Sequence, residues 1–182
     1  IVDSNEFSRG SNSPFQTDGS ISWIDTPLGP MLIMADEEAL HLLEFVDRED
    51  LEKRIEHLKE ETKLPIISRE SHLTKQIEAE LEGYFSGAIQ EFKTPLLLMG
   101  SPFQTKVWKE LQKIPRGETR SYAAIATAIE KPTAYRAVGL ANGANRFAIV
   151  IPCHRVINSN GNLGGYSGGI EKKEWLLKHE RT

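Results

Sequence analysis

Cysteine is nearly absent: Cys153 is the only one in 182 residues. No intrachain disulfide can form and no cysteine-rich zinc site can be built, so no metal is expected; a lone thiol fits a reducing compartment. Long apolar runs are missing too. No stretch approaches the roughly 20 consecutive apolar residues of a membrane helix, so no membrane association is expected. Nor does a basic start lead into an apolar run and a small-residue cleavage site, which argues against secretion. Ile1 stands where an initiator Met would, so the chain reads as processed or as part of a longer product. Residues 1–18 are polar with little to pack and read as a tail or linker. No internal repeat is present. The remainder, with 39% apolar and 26% charged residues overall, has the balance of a globular protein of one domain or two small ones.

A net charge of −4 speaks against a polyanionic partner until its distribution is considered. Residues 1–100 hold 9 Lys/Arg and 20 Asp/Glu, net −11; residues 101–182 hold 13 and 6, net +7. A split of this size predicts a two-part protein whose basic half meets a polyanion.

The hydrophobic pattern changes at the same place. Ser20–Ile24 alternates polar and apolar residues, Thr26-Pro27-Leu28-Gly29 makes a turn, and Pro30–Ala35 and Leu40–Phe45 are further apolar runs. Together they predict a small antiparallel meander. Asp47–Thr62, with Leu51, Ile55 and Leu58 on one face, and Ser71–Phe85, with Leu73, Ile77, Leu81 and Phe85, predict amphipathic helices. Glu91–Met99 is apolar enough to return to the sheet, and His41, His57 and His72, at no ligand-like spacing, read as surface. Residues 19–98 thus form an α/β scaffold domain without visible chemistry. Residues 99–182 form a mainly helical domain, giving an α+β (α/β) fold overall.

In that second part, Ser101-Pro102 predicts a helix N-cap followed by proline at the first helical position. Phe103, Val107, Trp108 and Leu111 supply the helix's core face, and Ile114-Pro115-Arg116-Gly117 ends it. Ser121 can cap a second helix to about Ile129, Glu130-Lys131-Pro132 breaks it, and Thr133 to about Asn142 makes a third. Two short helices around such a turn are a helix-turn-helix arrangement. Ala148–Ile151 reads as a short strand stopped by Pro152, a glycine-dense loop spans Gly164–Gly169, and Glu171–Glu180 is a closing helix.

Chemistry concentrates at Cys153, where an irregular turn begins after the strand. His154 is adjacent and Glu180 closes the last helix. A carboxylate that orients an imidazole, which draws the proton from sulfur, is the usual logic of an activated nucleophile. Adjacent side chains need not face each other, so one water can carry the proton between His154 and Cys153. On composition alone the opposite reading stands beside it: a cysteine after an apolar strand is most often a core residue.

The string Ile151-Pro152-Cys153-His154-Arg155-Val156 resembles the PCHRV signature of the O6-alkylguanine-DNA alkyltransferase family. The likeness runs from about Ser101 to the end, through PFQTKVW, IPRGETRSY, YRAVG, NGAN, YSGG and KEWLLKHE, and less securely includes the TPLGPM turn. It implies that Cys153 accepts the alkyl group, that His154 and Glu180 activate it, and that Asn145 holds the loop around it. It implies that Tyr122 donates to the departing guanine and that Arg136 enters the base stack in place of the extruded nucleotide. Ser121, Thr133 and Ala137 accompany Arg136 at the DNA. Tyr166 and Ser167 form a lid, with the Ser167 N–H toward the alkylated oxygen, while the carbonyls of Cys153 and Val156 accept from the exocyclic amine.

The implied function is DNA repair by stoichiometric, irreversible transfer from O6-alkylguanine in duplex DNA, with base flipping from the minor groove. The protein acts as a monomer without a cofactor, in the compartment that holds the genome: the bacterial cytosol and nucleoid, or a eukaryotic nucleus. Family members often carry a bulkier residue near Asn142 and a proline near Arg146 or Ala148; the smaller wall here leaves room for larger alkyl groups. Other readings stay open. A helix-turn-helix module of a larger transcription regulator fits the missing Met and a fused upstream regulatory domain, and would prefer one base sequence. An alkylation sensor would bind the lesion without reacting. A Cys–His hydrolase would need an oxyanion hole, for which nothing argues.

Overall fold

The computed structural model describes residues 18–63 and 65–182, so the tail expected over 1–18 lies almost wholly outside the described residues. Strands β1 (Gly19–Ile24), β2 (Met31–Ala35) and β3 (Leu40–Phe45) form the antiparallel meander. The β1–β2 turn closes because Thr26 Oγ1 accepts from the Leu28 N–H and donates to the Gly29 carbonyl, with Gly29 at φ 102°. Both β2 and β3 are buried along their whole length, because helices cover the two faces. Alternate residues Met31, Ile33 and Ala35 meet Leu73, Ile77 and Leu81 of α2 (His72–Phe85), whereas Leu32 and Met34 meet Leu51 and Leu58 of α1 (Leu51–Thr62). A strand covered on both faces reads as a continuous apolar run.

A short β4 (Ile66–Ser68), absent from the sequence reading, pairs parallel with β1 at the sheet edge. Three residues are too few to show a period. Helix α1 starts at Leu51 rather than Asp47, because Asp47–Asp50 is a turn and the Asp50 carboxylate pairs with Arg48 and Arg54 instead of capping. Glu91–Met99 does not become a strand. It touches β3 through one bridge, with the Leu40 N–H donating to the Pro95 carbonyl and the Leu97 N–H to the Leu40 carbonyl; Pro95 has no N–H to extend the ladder. His41 is not at the surface either. It is buried, with Nε2 2.8 Å from Asp36 Oδ2.

The helical half opens with α3 (Pro102–Leu111), whose Ser101 and Gln104 form a capping box. Helices α4 (Tyr122–Ala128) and α5 (Tyr135–Gly143) make the predicted pair. The break between them is a Schellman motif: the Lys131 N–H donates to the Ala126 carbonyl and the Glu130 N–H to the Thr127 carbonyl, with Glu130 left-handed at φ 61°. Thr133 lies before α5, which starts two residues later than expected, because the turn from Lys131 to Ala134 must close first. Trp108 Nε1 donates to the Ala141 carbonyl at 2.8 Å and ties α3 to α5. A two-residue parallel pair, β5 (Arg120–Ser121) with β6 (Val156–Ile157), joins the helix pair to the segment after Cys153. Helix α6 (Ile170–Glu180) closes the chain. Among the described residues no helix is long and apolar enough to cross a membrane.

The two halves meet at the approach to Cys153. The Leu43 N–H donates to the Arg146 carbonyl and the Ala148 N–H to the Leu43 carbonyl. From α1, Arg54 donates to the carbonyls of Gly143 (2.8 Å) and Asn145 (3.1 Å), the end of α5. Arg146 pairs with Glu61 at 2.7 Å.

Candidate active site

The expected strand at Ala148–Ile151 is instead a tight turn. The Val150 N–H donates to the Ala148 carbonyl around Ile149, held at φ 71°, and the Cys153 N–H donates to the Ile151 carbonyl around Pro152 at φ −79°, ψ 61°. These are two γ-turns, the first of the rare positive-φ kind. A β-branched residue there is strained, which the surrounding structure must over-determine. The chain then winds one 3₁₀ turn, Cys153–Arg155. The turns place the thiol inside, 4% exposed.

Asn145 stitches this turn together. Its Nδ2 lies within reach of the Ile151 carbonyl (3.0 Å), the Phe147 carbonyl (3.3 Å) and Cys153 Sγ (3.2 Å), and its Oδ1 accepts from the Phe147 N–H. Burial pushes the Cys153 thiol up to about 11, with the Asn145 donor pulling the other way. A thiol in that state is protonated at neutral pH and reacts only if a base takes its proton.

A base lies beside it. His154 is buried, and its Nε2 sits 2.7 Å from Glu180 Oε1. Arg155 completes the cluster with Nε 2.9 Å from Glu180 Oε2 and Nη2 2.9 Å from Oε1. Burial raises the Glu180 carboxyl, but the hydrogen bonds and charges of His154 and Arg155 outweigh it and hold the group well below the usual carboxylate range. An ionised carboxylate only accepts, so Nε2 must carry the proton. Burial also lowers the His154 imidazole against the pull of Glu180. A neutral ring with Nε2–H leaves Nδ1 as a free acceptor, and Nδ1 is buried with no hydrogen-bond partner among the described residues. No hydrogen bond there joins His154 directly to the Cys153 thiol.

The remaining residues named from sequence fall into two groups. Tyr122, half-buried on the first turn of α4, lies against Gly139 of α5 and Gly164, where an added Cβ would meet its ring at 3.9 Å and 3.4 Å. Its phenol is raised by burial and by the charge of Cys153. Tyr166 stands edge-on to the His154 ring at 6.5 Å, with its hydroxyl buried and unpartnered among the described residues. The Val156 carbonyl accepts from Lys173 Nζ at 2.5 Å. Arg136, Ala137 and Thr133 are instead exposed on or beside α5, and Ser167 is exposed on the glycine-rich loop. Ser121 Oγ caps α4 by accepting from the Ala124 N–H. Cys153, His154, Glu180, Asn145, Val156, Tyr122 and Tyr166 are thereby gathered around the thiol; the other five lie outside it.

Four further contributors have no role at the site from sequence, although Asn142 is noted there as part of the pocket wall. Arg155 sits inside the PCHRV string, which was its signal. Asn142 Nδ2 donates to the Cys153 carbonyl at 3.3 Å. Lys173, fully buried, donates to the carbonyls of Val156, Leu163 and Gly165 and so ties the glycine-rich loop to the thiol turn; burial lowers it to about 8. Tyr84 of α2 reaches Glu180 from the other half with no local signal at all. Among the described residues no group of His, Cys, Asp and Glu could hold a metal ion.

Comparison with known proteins adds the family. Residues 102–182 match the model described as 6-O-methylguanine DNA methyltransferase, DNA binding domain, and residues 21–98 match its ribonuclease-like domain. The methylated-DNA–protein-cysteine methyltransferase of Methanosarcina barkeri is 46% identical over 160 residues, 87% of this chain and 95% of that protein. The chain belongs to the methylated-DNA–protein-cysteine methyltransferases. Its family works in DNA repair, and the chain is an enzyme of that kind. The methyltransferase of Shigella flexneri is 40% identical, over 86% of this chain and 92% of that one. The Mycobacterium tuberculosis OGT structure in complex with DNA superposes with a TM-score of 0.76 at 39% identity, covering 90% of this chain and 92% of that one. The methyltransferase structure from the hyperthermophilic archaeon Pyrococcus kodakaraensis gives 0.66 at 28% identity, covering 90% and 99%. The α+β fold, with a small sheet before a helical half, is the fold of this methyltransferase family.

Proposed function

We propose that this methyltransferase repairs O6-alkylguanine in duplex DNA by moving the alkyl group onto Cys153 Sγ, once per molecule and without a cofactor. One observation carries the reading: the chain's single thiol is buried next in sequence to a buried imidazole whose Nε2 is held by Glu180 and whose Nδ1 has no hydrogen-bond partner among the described residues. The S–C bond forms as the C–O6 bond breaks, and the bonding pair stays with the guanine oxygen. The thiol proton passes to His154 Nδ1 through one intermediary, and guanine takes up a proton in exchange, with Tyr122 as the donor facing its ring. Guanine leaves poorly as a bare anion, so that donor lowers the barrier. The thioether product offers water no carbonyl or phosphoryl centre to attack, so the thiol is not regenerated.

An alkylated O6 lies inside the duplex, so the base must leave the stack at a cost of a few kcal/mol. Arg136, exposed on α5, offsets part of that cost by entering the gap from the minor groove, with Ser121, Thr133 and Ala137 along the backbone. Tyr166 and Ser167 close over the base. The Val156 carbonyl keeps a lone pair for the exocyclic amine beside Lys173, whereas the Cys153 carbonyl, which also accepts from the Val156 N–H, must yield its long bond from Asn142. The basic charge of residues 101–182 supports DNA binding, and the protein acts there as a monomer in the compartment of the genome. The same reading divides the chain into a tail (1–18), a scaffold domain (19–98) and a reacting domain (99–182).

Single-turnover transfer from a duplex carrying one O6-methylguanine, followed by a peptide mass map, tests this. The expected result is one methyl on the Cys153 peptide, stopping at one equivalent. Bound DNA with unmodified Cys153 would make the chain a sensor or regulator instead.

A further inference from the structure

We infer that Tyr84, on α2 of the sheet half, is a positioning residue for the transfer reaction: its hydroxyl shares Glu180 with His154 and so keeps the imidazole in the neutral, proton-accepting form. The inference rests on the His154–Glu180 relay proposed above. Tyr84 Oη donates to Glu180 Oε1 at 2.8 Å, and the same oxygen receives His154 Nε2 at 2.7 Å and Arg155 Nη2 at 2.9 Å. Three donors on one carboxylate oxygen divide its charge between them.

The hydroxyl is held in place from both halves of the molecule. Tyr84 is 1% exposed. The Arg116 guanidinium lies 5.0 Å over its ring, and Phe85 and Phe92 pack at 5.3 and 5.6 Å. Its carbonyl accepts from His179 Nε2 of α6 at 3.0 Å. Burial and the neighbouring Glu180 push the phenol far above its ordinary range, so it acts as a donor throughout the working range of pH. Packing alone calls for an aromatic ring here. The hydroxyl is the part that packing does not require, and it is aimed at the relay.

A carboxylate that loses a donor becomes more basic and pulls harder on the remaining ones. Without the Tyr84 hydroxyl, Glu180 pulls harder on the His154 Nε2–H and makes the imidazole easier to protonate. A protonated His154 cannot take the thiol proton. The other groups facing this ring are Arg155 and Cys153 on its own turn, Lys173 and Glu180 of α6, and Tyr166 of the glycine-rich loop, with Arg116 behind Tyr84. Arg155 and Lys173 also oppose protonation, and both stay in place when only the hydroxyl is removed.

The test is the single-turnover rate of the full chain on O6-methylguanine duplex between pH 5.5 and 9, for wild type and Tyr84→Phe. The expected result is a loss of about 5-fold at pH 6 against less than about 2-fold at pH 8.5, the acidic limb moving to higher pH. A lower melting temperature with the wild-type limb would make Tyr84 a packing residue and overturn the inference. Should Tyr84→Phe not fold, site-specific 3-fluorotyrosine at position 84 decides, since it keeps the shape and donates more strongly. Its limb must then move to lower pH, and an unmoved limb overturns the inference. Glu180→Gln separates the two levels. If it transfers at the wild-type rate, the relay itself is wrong; if it is slow while Tyr84→Phe matches wild type throughout, only the role of Tyr84 falls.

Discussion

Changing Glu180 to Gln keeps the shape of the side chain and removes its charge. The carboxylate is fully buried and faces Arg155 through two hydrogen bonds of 2.9 Å, with that guanidinium 8% exposed. Little solvent screens the pair. Removing one partner of a buried ion pair costs about 3–5 kcal/mol, because the other charge is left without compensation. The amide also turns an NH₂ toward at least one of the donors from Arg155, His154 and Tyr84, since only one of its two positions can accept. A chain of this size loses about 2–4 °C of melting temperature per kcal/mol, so Glu180→Gln should melt roughly 10 °C lower. Thermal unfolding followed by circular dichroism measures it. Arg155→Met should cost a similar amount, but Arg155→Met combined with Glu180→Gln should cost far less than the two single changes together, since no charge is then stranded. A loss below about 1 kcal/mol for Glu180→Gln, or strict additivity in the cycle, would refute the claim that this cluster is a coupled buried pair.

Asn145→Ala removes the thiol's donor and leaves the Phe147 N–H without its acceptor; stability should fall by about 2–3 kcal/mol, and the single-turnover rate should drop with it, measured by quench-flow below the melting transition. Arg136→Ala changes an exposed side chain, so the melting temperature should hold within about 1 °C while transfer from duplex DNA falls about 10-fold or more; equal rates on duplex and on the free alkylated base would contradict a stack-filling role. Stability should also depend on pH with a definite sign. The folded His154 and Glu180 both bind protons less readily than when unfolded, so their contributions are whole above about pH 6.5 and pH 4.3 respectively and decline as pH falls below those values. Lys173, lowered to about 8, still adds stability as pH rises past neutrality, so urea titrations from pH 8 to pH 4 should show stability falling steadily as pH is lowered, with no plateau near pH 8; rising stability toward pH 5 would contradict it.

Local chemistry wrote much of this protein into its sequence. The meander follows from apolar runs separated by a threonine-capped turn, α3 from Ser101-Pro102, and the break before α5 from Glu130-Lys131-Pro132, because caps and turns depend on residues a few positions apart. The single thiol and the basic second half were legible too, whereas a cysteine acceptor at DNA was implied only by the resemblance of the PCHRV string to the alkyltransferase signature. Other features depended on contacts between distant parts of the chain. Ala148–Ile151 has strand-forming residues, yet Leu43 and Asn145 bend it into γ-turns, since hydrogen bonds from outside the segment outweigh a weak local preference. The sequence starts α1 at Asp47, yet Asp50 is a counter-ion for Arg48 and Arg54 and the helix begins only at Leu51. Glu180 and His154 could be named together from the sequence, but the third donor on that carboxylate oxygen, Tyr84, could not. Tyr84 lies 96 residues away, and only the packing of α2 against α6 brings its hydroxyl to the carboxylate, because the cost of an unpaired buried charge is decided by whatever the fold places next to it.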